Sequence, residues 1–220
     1  MTIQEAHIAL DIEVQKINSN AYANFLPEEK DYFLNKSQDQ FIRTKFDHLS
    51  NRKQKGYDEN QVRIDDLRAI LQKPVFIQAF AQSARGRRTA ALPDDYMFRV
   101  ALEARIDCGG AIDVVPVVVQ SHEWIYQIQK HPFAKSSVQA VNVVIDGNVI
   151  TVYEDDTFTL VGLGLDYIRY PQRVSLSLDQ GFELPDITHD KIVSDAAGMI
   201  LEAVESQRFG TKTQLNQIIE

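Results

Sequence analysis

Very little in this chain is built for covalent constraint. Among 220 residues there is a single cysteine, Cys108, which excludes an internal disulfide framework and fits a reducing compartment. No run of about eighteen apolar residues occurs, so no membrane span is expected. The N-terminus, Met1-Thr2-Ile3-Gln4-Glu5, has neither a basic start nor an apolar signal region, and secretory export is not expected. Basic surplus is also missing. The net charge is −8, whereas a general nucleic-acid binder gains most of its affinity by neutralising phosphates. A local basic patch is not excluded by this balance. Hydrophobic content of 44% is ample for a core.

Recognisable catalytic patterns are scarce too. His7, His48, His122, His131 and His189 are scattered, with no H-x-x-H or H-E-x-x-H spacing, and one cysteine cannot form a zinc ribbon. Gly162-x-Gly164 imitates the start of a dinucleotide fingerprint, but Tyr167 stands at the third glycine and no helix follows. P-loop and G-x-S-x-G motifs do not occur. Glu154-Asp155-Asp156 is the one tight acidic cluster. It reads as a polar turn between strands, or else as a Mg²⁺ or Ca²⁺ ligand set. No catalytic residue, metal ligand or cofactor is assigned.

What is present is a clear order of periodicities. Ile3, Ala6, Leu10, Val14 and Ile17 share one face of a first helix, and Ile8 and Ile12 lie off it, giving that helix apolar surface on two sides. Pro27 opens a second helix with Glu28 and Glu29 in its first turn and Phe33, Leu34, Phe41, Ile42 and Phe46 as its apolar content. Asn51 to Gly56 reads as a solvated basic loop, and Asp58 is placed to cap a third helix carrying Ile64, Leu67 and Leu71. Near Lys73-Pro74 the pattern turns to alternation. Tyr96, Phe98, Val100, Leu102, Ala104 and Ile106 occupy every second position, the mark of a half-buried strand. Val114–Val119 is a continuous apolar run, and its Pro116 predicts an edge or bulged strand. A short helix over 121–130 follows, with Trp124 expected to fill a core gap or an interface pocket. Asp146-Gly147 predicts a two-residue hairpin with a type I′ turn that pairs Val143 with Ile150 and Val141 with Val152. Strands are also expected over 157–168 and 174–178.

The chain closes on an amphipathic helix. Pro185 and Asp186 suit its first turn, and Ile192, Val193, Ala196, Ala197, Ile200, Ala203 and Val204 form a wide apolar stripe, with Gly210 ending the helix. That stripe either closes its own core or docks on a neighbour, in which case Ile192, Val193, Ile200 and Val204 are the assembly face. Arg85-Gly86-Arg87-Arg88 is the sharpest basic run. It is a solvated loop, or a loop whose Arg85, Arg87 and Arg88 contact DNA or an adjoining subunit. The fold class is therefore α+β: N-terminal helices (1–72), a mostly antiparallel β body with a short helix (73–183), and the C-terminal helix and tail (184–220), expected to form one compact unit.

Several stretches of wording go further. YIRYP (Tyr167–Pro171) followed by ELPDITHDKIVSDAAGMILEAVE (Glu183–Glu205) resembles virion proteins of tailed phages infecting Bacteroidota, including the crAss-like group. FLPEEKDYFLNKSQDQFIRTKF (Phe25–Phe46), Leu92-Pro93-Asp94-Asp95-Tyr96 and the His131-Pro132-Phe133 stop are similar to the same family. There the corresponding protein is a head-to-tail ring, or adaptor, subunit. The resemblance implies a non-enzymatic structural protein of the virion, assembled in the bacterial host cytoplasm. Its expected partners are identical subunits in a ring, commonly twelve-fold, the portal protein, other neck or tail ring proteins, and genomic DNA passing without sequence specificity. The competing expectation is a metal-dependent enzyme or regulatory binding protein with an α+β fold.

Overall fold

The computed structural model describes residues 1–15, 25–47, 57, 60–84 and 86–203. Ile17, Asn51 to Gly56, Asp58, Arg85, Val204 and Gly210 lie outside the described residues. Contacts divide the chain into two units: Met1–Ile70 together with the residues from Tyr170 onward, and Leu71–Arg169. The class is α+β, as expected, but the division differs from the three consecutive regions read from the sequence. Both ends of the chain belong to one helical unit, and the β unit is the segment between them. Residues 170–183 go with the helices rather than with the β body.

In the helical unit, α1 spans Ile3–Gln15, α2 Pro27–Phe46, α3 Gln61–Leu67 and, past the β unit, a helix spans His189–Ala203. Helix α1 starts with a capping box. The Thr2 hydroxyl accepts from the Glu5 N–H at 3.2 Å, and the Glu5 carboxylate accepts from the Thr2 N–H at 2.8 Å, satisfying donors that a helix start leaves orphaned. Helix α2 starts on Pro27, with Glu29 accepting from the Leu26 N–H at 2.8 Å. Its C-terminal carbonyls, Thr44 O and Lys45 O, accept from the Arg63 guanidinium at 3.2 and 2.8 Å, a cation at the negative helix end. Lys45 pairs with Asp66 at 2.8 Å, tying α3 to the same place. The cap of α3 is Asn60, whose side chain accepts from the Val62 N–H at 3.0 Å, not Asp58. The apolar stripe that suggested Leu71 as a helical residue ends earlier, because Leu71 already begins a strand.

The core of this unit is one cluster. Ile3, Ala6, Leu10 and Val14 of α1 meet Leu34 of α2 and Val193, Ala196, Ala197, Ile200 and Leu201 of the last helix. The Met1 amino group is 2.9 Å from Asp186 Oδ1, so the first and last helices start side by side. The segment 174–178 is no strand. Its polar backbone is held by α2 side chains: Asn35 accepts from the Val174 N–H at 2.8 Å and donates to Val174 O at 2.9 Å, and Asp31 accepts from the Leu176 N–H at 3.0 Å. Only a single bridge, Ser175 with Gln180, remains, and the turn between them puts Asp179 at φ +50°.

One fully buried side chain of α2 has both of its polar atoms unsatisfied. Gln38 is 1% exposed, and neither its Nε2 nor its Oε1 finds a hydrogen-bond partner among the described residues. Burying an amide unpaired costs on the order of 1–3 kcal/mol. Gln38→Met keeps the shape and the helix propensity while removing both polar atoms. It is expected to stabilise the unit by about 1 kcal/mol, read as a higher urea midpoint at unchanged slope; a lower midpoint would refute the assignment.

The β unit holds β1 (Leu71–Ile77), β2 (Ala81–Ala84), β3 (Arg87–Ala91), β4 (Tyr96–Asp107), β5 (Ile112–Val119), the one-turn α4 (Ile125–Ile128), β6 (Val141–Asp146), β7 (Val149–Tyr153) and β8 (Thr159–Arg169). The last helix, His189–Ala203, is α5. The eight strands form one sheet in the order β1-β8-β4-β5-β6-β7-β3-β2. All pairs are antiparallel except β5 with β6, which is parallel and is bridged by the stretch that carries α4. Strands β1 and β2 stand at opposite ends of the order, yet only residues 78–80 separate them. Seven interstrand steps would put flat edges about 34 Å apart, while that link reaches at most about 15 Å. The sheet therefore curls until its ends approach. It curls around its own core, in which Ile77, Ala104, Ile106, Val115, Val143, Ile150, Val152, Leu163, Leu165 and Tyr167 form one cluster.

Two strand expectations need correction. The hairpin exists, but Val143 pairs with Val152, Ile145 with Ile150 and Asp146 with Val149. The loop is thus Gly147-Asn148. Gly147 alone has positive φ, +56°, which fits glycine at the first central position of a type II′ turn instead of a type I′ turn. The one-residue move of the turn preserves the face, so the same valines stay inside. Strand β5 is not at an edge, since it lies between β4 and β6. Its partners are staggered: residues 112–116 pair with β4 and 117–119 with β6. Pro116 sits at the handover, where a missing N–H breaks no ladder on the β6 side. Alternation along β4 holds over 102–106 but breaks upstream, where register shifts at 96/98 and 99/101 leave Met97 buried.

Candidate assembly surfaces

The C-terminal stripe is covered within its own unit. Ile192, Val193 and Ile200 are 0–1% exposed, and Val193 and Ile200 pack on α1 and α2 side chains of the same unit. As a face offered to neighbours these three are not available; the stripe is there, and its side chains turn into the core of their own unit. Val204 lies outside the described residues. The second face of α1 is the one left open, with Ile8 and Ile12 60% and 58% exposed.

Of the basic run, Arg85 lies outside the described residues. Arg87 and Arg88 are not loop residues, since both stand in β3, opposite Tyr153 and Val152 of β7. Gly86 makes the tight turn before them at φ +72°. Arg88 Nε donates to Glu154 Oε2 at 2.9 Å, and its Nη1 to Leu160 O at 3.3 Å. Arg87 lies over the rings of Tyr126 and Tyr153, at 5.3 and 5.2 Å from their centroids, a geometry in which the ring faces attract the cation. Both arginines thus brace the sheet.

The acidic cluster is the turn between β7 and β8. Besides Arg88, Glu154 accepts from the Leu160 N–H at 2.9 Å. Asp155 faces Lys135 at 2.8 Å, and that hydrogen bond holds its carboxyl below the usual range. Among the described residues, no group of three or more His, Cys, Asp or Glu side chains is placed to hold a metal ion. His7 reaches Asp31 at 2.8 Å inside the helical unit. His189 Nε2 meets Leu184 O at 2.8 Å, which requires the proton on Nε2 because a carbonyl only accepts; its Nδ1 is 3.3 Å from Asp186 without hydrogen-bond alignment. The Met1 ammonium, hydrogen-bonded to Asp186, holds that carboxyl low as well. His7 thus ties α1 to α2, and His189 ties the start of α5 to the chain before it.

The outward face of β5-β4-β8-β1 was not anticipated. Ile112, Val114, Pro116 and Val118 alternate outward along β5 and are all exposed, Ile112 by 64% and Val114 by 56%. Register places Glu103 beside Pro116 and Gly164, and Arg105 beside Val114 and Gly162. A Cβ on Gly164 would stand 2.7 Å from Glu103 Cγ, so the Glu103 side chain lies flat over that glycine. The Arg105 guanidinium lies 3.9 Å from the Phe76 ring centroid. A continuous apolar run carrying the branched residues of both faces gave no sign of which would be covered. Trp124, expected in a core gap or an interface pocket, fills no core gap, being 59% exposed, and Phe133 is 95% exposed on the same crossover.

No helix among the described residues is long and apolar enough to cross a membrane. No protein-family model matches the chain, and no curated protein matches it either.

Proposed function

We propose that this chain is a structural subunit of a tailed-phage virion, forming a homo-oligomeric ring at the portal or head-to-tail connector through which DNA passes. The observation that carries the reading is α1. One of its apolar faces closes the subunit core while the other leaves Ile8 and Ile12 in solvent. A subunit that joins copies by rotation needs such unspent apolar surface outside its core. The sequence resemblance supplies the setting: identical subunits, a portal, neighbouring neck or tail rings, and DNA in the channel. A net charge of −8 suits a wall past which DNA slides. The competing reading, a metal-dependent enzyme or regulatory binding protein, rested on Glu154, Asp155 and Asp156; of these, Glu154 and Asp155 are paired with Arg88 and Lys135.

The test is assembly on purified portal, followed by electron microscopy. The wild-type chain is expected to add a ring. Ile8→Asp/Ile12→Asp is expected to keep its fold, because both sites are exposed, and to lose the ring. Portals left bare by the wild-type chain would overturn the proposal, as would rings built equally well by the double variant.

A further inference from the structure

The outward face of the β unit carries two opposite charges with no charged partner among the described residues. Glu103 and Arg105 stand two residues apart on the same side of β4. Among the described residues neither forms an ion pair or a hydrogen bond, and Arg105 Nε is shielded from solvent without an acceptor. Both are half-buried, Glu103 flat over Gly164 and Arg105 over the Phe76 ring. A half-buried charge without a partner is costly, and it becomes favourable when an opposite charge is brought to it. Beside them runs the exposed column of Ile112, Val114 and Val118.

We propose that this face is a self-complementary docking surface for a second copy of the chain. A two-fold axis through the middle of the face reverses β4 in the partner. Each Glu103 then meets the partner's Arg105, each Arg105 the partner's Glu103, and the two β5 columns cover each other. The alternation of one negative and one positive group along a single strand selects this antiparallel arrangement, since a parallel overlay would set like charges together. The pairing does not rest on the ring reading. A head-to-tail ring uses two different faces, whereas this one meets itself.

Sedimentation velocity of the full chain from low to several hundred micromolar decides it. The wild type is expected to show a concentration-dependent dimer weakened by salt. Glu103→Arg or Arg105→Glu alone should weaken the dimer at least about tenfold, the order of one lost charge pair. The double exchange Glu103→Arg/Arg105→Glu keeps the alternation and should restore it. Val114→Asp, at an exposed site, should abolish it with thermal unfolding unchanged. A wild type that stays monomeric throughout overturns the proposal. So does any assembly that Glu103→Arg leaves intact, or a folded double exchange that fails to recover. Rings lost in Ile8→Asp/Ile12→Asp with this dimer intact would separate the two surfaces.

Discussion

Ile200→Asp is expected to unfold the helical unit outright. Ile200 is 1% exposed and sits where α5 meets α1 and α2. Removing an isoleucine's contacts from such a site costs about 2–5 kcal/mol. The carboxylate adds a further penalty, because the side chains packed around this site are apolar and a charge buried among them is strongly unfavourable. The sum approaches the whole stability of a typical domain, about 5–15 kcal/mol. The β unit has its own core, and every residue of that cluster falls between Ile77 and Tyr167. The expected far-UV signal is therefore a loss of helix with residual β structure, and limited proteolysis should release a fragment near 71–169. Ile8→Asp, on the exposed side of α1, is expected to change stability by no more than about 0.5 kcal/mol. A variant at Ile200 with wild-type helicity and midpoint would contradict the placement of the stripe.

The contrast between Ile200 and Ile8 shows what the sequence could and could not say. Period 3.6 marked both apolar faces of α1 and the stripe of α5, and those elements form as expected. Periodicity says that a face is apolar, not what covers it; the cover of α5 comes from residues nearly two hundred positions away. The same limit hid the outward column of β5, where valines follow one another without alternation. Local chemistry was readable where it was local. Asp146-Gly147 located the hairpin, though the loop settled one residue later because Gly147 takes the first central position. Thr2-Ile3-Gln4-Glu5 carried a capping signal that went unread. Pro116 looked like the mark of an edge or a bulge because the staggering of β5's partners is a property of the sheet, not of the strand. The curl of the sheet is less legible still: it follows from which strands end up at the margins. Arg87 and Arg88 looked free because Tyr126, Tyr153 and Glu154 are distant in sequence.

Alkaline pH is expected to weaken the β unit through Tyr167. This residue is 3% exposed, and its hydroxyl donates to Asp95 Oδ1 at 2.8 Å. Burial first, then the bond to Asp95 and its negative charge, push the phenol up to about 12. In the unfolded chain the phenol titrates near its ordinary value of about 10. The folded value is the higher one, so the stabilisation is complete below pH about 10 and is lost as pH rises toward 12. Two units correspond to about 3 kcal/mol, enough to remove a large share of a domain's stability. Tyr167→Phe isolates the contribution of this one phenol. At neutral pH it loses one hydrogen bond, about 1 kcal/mol, yet it has no phenol to ionise. Its stability should fall less steeply between pH 10 and 12, and the two curves should cross near pH 11. Urea unfolding at a series of pH values measures both curves; parallel lines across that window would mean that Tyr167 ionises as readily in the folded β unit as in the unfolded chain.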